Sequence, residues 1–244
     1  MIPRKKRIVR MENYGHANGA RPRPNFELAI SRMKAMKREV ASQSAKFYPV
    51  ISKTFEKTLE FVPREAVEKV LQERGQTYDE FKMDMFSRVL FVPQEWFNEL
   101  RDLTGCSKGT AAFYFNGHCV LPSNGRQTKS VVFFSLMHEM IHSFDAAAGI
   151  RRNQASVEAL AYAAQIFSFG EIVNVAEARA YDIGKGPSEE YTHGFHLGKE
   201  AAEAALEIKK IRGPERANIF FKNLFRIGGI TSQGIAMLKR ELLG

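Results

Sequence analysis

His138-Glu139-Met140-Ile141-His142 brings two imidazoles and a carboxylate together in an apolar run extending from Val131 to Phe144. An α-helix advances about 100° per residue, so residues four apart stand one above the other on the same face. Both imidazoles can then reach one metal ion. Glu139 is rotated away from that pair, yet near enough to take a proton from a metal-bound water. Three polar groups in one apolar helix cost free energy unless they are partnered. A divalent cation partners all three, and the donor types suit Zn2+.

The elements that must position this pentapeptide can be read on either side of it. Residues 25–60 carry apolar side chains at near-helical spacing (Phe26, Leu28, Ile30, Met33, Met36, Val40) and predict one or two helices. Pro63 sits early in a further helix, and others are expected at about 77–88 and 93–104. The pattern then changes. Aromatic and β-branched residues flank Asn116-Gly117, a dipeptide suited to a type I′ turn because both residues tolerate positive φ. Two short antiparallel strands are expected at about 111–115 and 118–121. The motif helix follows, capped by Thr128 or Ser130 and ended by Gly149. Helices at about 154–168, 171–183, 188–211, 214–226 and 231–243 complete the chain. The expected class is α+β and mostly helical, with a small antiparallel sheet ahead of the metal-binding helix. Three regions are expected: a disordered basic arm at 1–24, a helical region at 25–105, and a core at 106–244.

Composition narrows the function classes. The chain has 244 residues and a net charge of +9. No stretch reaches the roughly 18 uncharged apolar residues of a membrane span. The basic N-terminus is not followed by the apolar core of a signal peptide, so a soluble cytoplasmic protein is expected. Cys106 and Cys119 are too few for a disulfide framework. Residues 1–24 hold seven basic side chains against Glu12 alone, a pattern able to contact nucleic acid through counterion release.

A hairpin followed by an H-E-x-x-H helix resembles the zincin metallopeptidases, over roughly residues 109–195. The resemblance implies a zincin-like core, an edge strand that pairs with the substrate backbone, and a third ligand beyond His138 and His142. No histidine follows His142 until His193, so the branch with three histidine ligands is not matched. The thermolysin-like branch takes a glutamate from a later helix. Two segments of the form E-A-x-A-Y offer one, at Glu158 and Glu177. Glu158 is the sole charge between Asn153 and Glu171, and a lone carboxylate in so apolar a helix needs a cation. Glu177 has Arg179 and Asp182 nearby and remains the alternative. Asp145, three residues past His142, resembles an aspartate that holds the far nitrogen of a ligand histidine. Tyr191 and His193 resemble groups that stabilise an oxyanion. The implied activity is zinc-dependent hydrolysis of peptide bonds in a protein or peptide substrate, with Glu139 as general base to a metal-activated water. The competing expectation is a nucleic-acid- or assembly-associated protein that works through its basic arm, its metal site structural or degenerate.

Overall fold

The computed structural model describes residues 24–45, 47–106, 112–116, 118–123, 129–172 and 189–244. All but the last residue of the basic arm lie outside these, as do Glu177 and residues 173–183 of the expected helix. The described elements run α1 (Phe26–Ala45), α2 (Tyr48–Leu59), α3 (Arg64–Arg74), α4 (Tyr78–Ser87), β1 (Val89–Val92), α5 (Gln94–Thr104), β2 (Phe113–Phe115), β3 (His118–Pro122), α6 (Lys129–Ala148), α7 (Gln154–Ile172), α8 (Glu189–Arg212), α9 (Pro214–Arg226) and α10 (Ser232–Leu243). The protein is mostly helical. Among the described residues, no helix is long and apolar enough to cross a membrane.

Local chemistry accounts for several boundaries. Thr77 caps α4 by accepting from the Glu80 amide, while Glu80 accepts from the Thr77 amide in return. Asn153 caps α7 through the Ser156 amide at 2.8 Å. Gly149 follows α6 at φ +67°, a left-handed conformation that side chains disfavour.

The sheet departs from the expectation of a wholly antiparallel one. Its strand order is β1-β3-β2. β2 pairs antiparallel with β3, Phe115 opposite His118, and Asn116 between them has φ +47°. β1 lies parallel to β3, with Val89 opposite Cys119 and Val92 opposite Pro122. The sheet is therefore mixed, and β3 is its central strand. Residues 118–122 have both edges occupied, which leaves only β2 with an outer edge on that side. The physical reason is burial. Val89-Leu90-Phe91-Val92 is covered on both faces, so it shows no polar–apolar alternation and is hidden between two helical patterns.

Alternate residues of the sheet serve two cores. Val89, Phe91, Cys119 and Leu121 face the layer that contains α2 and α6. Leu90, Val92, Phe113 and Val120 face α1 and α5. The first core extends from Ile51 to Leu242, so the 25–105 and 106–244 regions share both a core and a sheet. Behind α6 lies α7, and α7 packs most extensively against α8.

Candidate metal centre

Two helices build the site. α6 presents His138 and His142 one turn apart. α7 is apolar and small-residue-rich, yet Gln154, Glu158, Tyr162 and Gln165 recur at spacings of four, four and three, which is one face of a helix. That face meets the histidines. His138 Nε2 and His142 Nε2 lie 3.0 Å apart. Glu158 Oε2 is 3.4 Å from the first and 3.7 Å from the second. Around a tetrahedral zinc with bond lengths near 2.05 Å, donor atoms stand about 3.3 Å apart. The three observed separations bracket that value.

The polar accounting also asks for a cation. Glu158 is 4 % exposed, and its Oε2 makes no hydrogen bond of normal geometry. Its other oxygen accepts from Gln154 Nε2 at 2.7 Å. An orphaned carboxylate oxygen in an apolar interior is costly, and a metal ion between it and the imidazoles removes the deficit. The residues present therefore fit a divalent metal. Among the described residues, His138, His142 and Glu158 are the group of donors so arranged.

Protonation follows from burial and neighbours. Burial pushes the His142 imidazole down to about 4, more than the Glu158 charge can restore. It is thus neutral near pH 7, the state in which imidazole binds metal. Burial also works against a charged His138, but Glu158 and Glu139 outweigh it and its affinity for a proton rises. For Glu158 burial is outweighed by His142, His138 and Gln154, and its pKa falls, leaving it ionised. Glu139 is 6 % exposed, and burial pushes it up to about 7, partly opposed by His138 and reinforced by Glu158. A carboxyl poised near neutrality suits acid–base work. The thiols of Cys106 and Cys119 are pushed up chiefly by burial, with the Glu139 charge adding to it.

The remaining site residues are placed as follows. The Tyr162 hydroxyl donates to the Tyr191 hydroxyl, and the Tyr162 ring lies edge-on to His138 with centroids 4.6 Å apart. Tyr191 is thus linked to the residue whose ring lies against His138. His193 is exposed and lines a shallow depression with Asn153, Ala155, Glu189 and Glu190. Asp145 has a different partner from the one the resemblance implied: it pairs with the Arg152 guanidinium, which also donates to the Phe225 carbonyl at the end of α9. Burial pushes the Asp145 carboxyl up to about 6 against the pull of Arg152. Gln154 and Gln165 join Glu158 and Tyr162 on this face without belonging to the E-A-x-A-Y segment. Their signal was the four-four-three spacing around Glu158. Gln165 lies beside His138, and its buried Oε1 makes no hydrogen bond of normal geometry.

Comparison with known proteins finds no matching family model, no curated relative and no similar solved structure.

Proposed function

We propose that the protein is a zinc-dependent peptide hydrolase. His138, His142 and Glu158 would hold the ion. The reading is carried by one observation: two imidazole nitrogens from α6 stand at the spacing of tetrahedral zinc ligands from each other and from a Glu158 oxygen on α7 that is buried and makes no hydrogen bond of normal geometry. When bound, the ion would supply Lewis acidity and bring coordinated water to a pKa of about 7. Three protein donors leave a fourth position for that water, as catalytic zinc sites do.

The chain's own groups have separable roles. Gln154 fixes the Glu158 carboxylate by its second oxygen. Glu139, held near neutrality by burial, accepts a proton from the attacking water and returns it to the leaving amine. Tyr191, linked to Tyr162, is the candidate donor to the developing oxyanion. Among the described residues no strand pairs with the outer edge of β2, and that edge would accept an extended peptide backbone without reading its side chains. This supports a peptide as the substrate.

The test is cleavage of an unstructured protein by zinc-loaded wild type beside Glu139→Gln. The proposal requires that Glu139→Gln keep one zinc per chain and lose cleavage by about 10²–10⁴-fold. Equal cleavage by both proteins would remove Glu139 from the reaction.

A further inference from the structure

α8 contributes no metal donor, yet it touches the site at two places where it has no side chain. The helices α7 and α8 cross with their backbones in contact. A Cβ added at Gly194 would lie 2.6 Å from Glu158 Cβ and 2.7 Å from the Ala155 carbonyl oxygen. A Cβ added at Gly198, one turn on, would lie 2.6 Å from Tyr162 Cβ and 2.9 Å from the Ala159 carbonyl oxygen. Real side chains do not approach so closely, and in each case one of the obstacles is helix backbone, which cannot rotate aside. Neither position has a backbone torsion that demands glycine, so the requirement comes from the approach itself.

The two α7 residues so cupped both belong to the face that meets the histidines. Glu158 is the carboxylate donor. Tyr162 lies against His138 and carries the hydrogen bond to Tyr191. Phe195, between the two glycines, stands edge-on to Tyr162 at 5.2 Å. Ala201, Ala202 and Ala205 continue the buried apolar side of α8 beyond the site.

We infer that Gly194 and Gly198 are positioning residues: the backbone of α8 sets Glu158 and Tyr162 against the α6 histidines, so metal affinity is linked to the docking of α8. The inference rests on the metal reading above. By reciprocity, metal binding must tighten the seam as much as the seam tightens metal binding. A displacement of Glu158 by a few tenths of an ångström is felt directly, because zinc tolerates little variation in donor distance.

The test is zinc affinity, measured by competition with a chromophoric chelator on the full chain. Groups that orient metal ligands are worth about 10–100-fold in affinity. Gly194→Ala is expected to weaken zinc binding within that range. Gly198→Ala is expected to weaken it less, since it acts through Tyr162. Ala201→Val is the control: it crowds the same helix away from the site and is expected to lower the melting temperature while leaving zinc affinity within about threefold. Hydrogen exchange on wild type gives a second readout that needs no variant: zinc is expected to slow exchange of α8 amides from 194 to 205 as well as those of α6 and α7. The inference is overturned if folded Gly194→Ala binds zinc as wild type does, or if protection stops at α7. Wild type that takes up no zinc at all would instead overturn the metal reading and carry this inference with it.

Discussion

The two faces of α6 meet opposite kinds of surface. Toward the sheet, it packs on Phe91, Cys119 and Leu121 in a core that is almost wholly apolar. Toward α7 it buries His138, and opposite it Glu158 and Tyr162 beside half-buried Gln165; the helix also buries Glu139. The first surface explains itself through the hydrophobic effect, at about 25 cal/mol per Å² of apolar area removed from water. The second does not. Polar groups buried with an unpartnered carboxylate oxygen weaken a helix pair unless something binds between them. The contrast separates the part of the molecule that holds the fold from a part whose donors could hold a metal ion.

That contrast can be broken by substitution. The largest effect is expected at Glu158. Glu158→Ala should abolish stoichiometric zinc uptake, read by metal analysis after dialysis. On the sheet side Leu121→Ala should cost about 2–5 kcal/mol in denaturant unfolding and leave zinc uptake per folded molecule unchanged. If both variants lost zinc equally, the two faces would not be functionally distinct.

Arg152 gives the next largest effect. Its guanidinium neutralises Asp145 and ties the start of α7 to the end of α9. Arg152→Ala leaves the buried carboxylate without its partner and should destabilise the protein by about 3–5 kcal/mol. Because Asp145 pairs with Arg152 and not with a ligand imidazole, the loss should appear in unfolding and not in zinc affinity.

Glu139 sharpens the comparison through pH. Its folded pKa is raised from 4.5 to about 7, so the folded state holds this proton more tightly than the unfolded chain does. Stability from this group is complete below pH 4.5 and is lost as pH rises toward 7, a difference of about 3 kcal/mol for a buried carboxyl. In chelator, wild type should therefore lose stability over that window relative to Glu139→Gln, which has no carboxyl to ionise. Parallel pH profiles for the two proteins would contradict the assigned burial. The smallest effect belongs to Thr77, whose capping box lies far from the donors. Thr77→Ala should cost about 1 kcal/mol and leave metal binding untouched.

Much of this was legible in the sequence because its signals are local. The i, i+4 histidines, the lone charge of Glu158 in an apolar helix and the Asn116 turn each declare themselves within a few residues. What was not legible depends on distant partners. β1 is four apolar residues whose partner strand lies beyond α5 and β2, so neither alternation nor a tight turn marks it. Asp145 offers the same spacing whether it faces a histidine or Arg152, and only the arrival of α7 and α9 decides. Gln154, Tyr162 and Gln165 were marked by their spacing around Glu158, but polar residues one turn apart acquire meaning only when the facing helix is known. Gly194 and Gly198 read as ordinary helix residues until α7 lies against them.

The central claim is the identity of the donors, and X-ray absorption at the zinc K-edge tests it on zinc-loaded protein. The account requires one zinc per chain, with two imidazole nitrogens and carboxylate oxygen in its shell at about 2.0–2.2 Å, and loss of that signal in Glu158→Ala. A shell containing sulfur at about 2.3 Å would place the metal on the cysteines instead, and would contradict it.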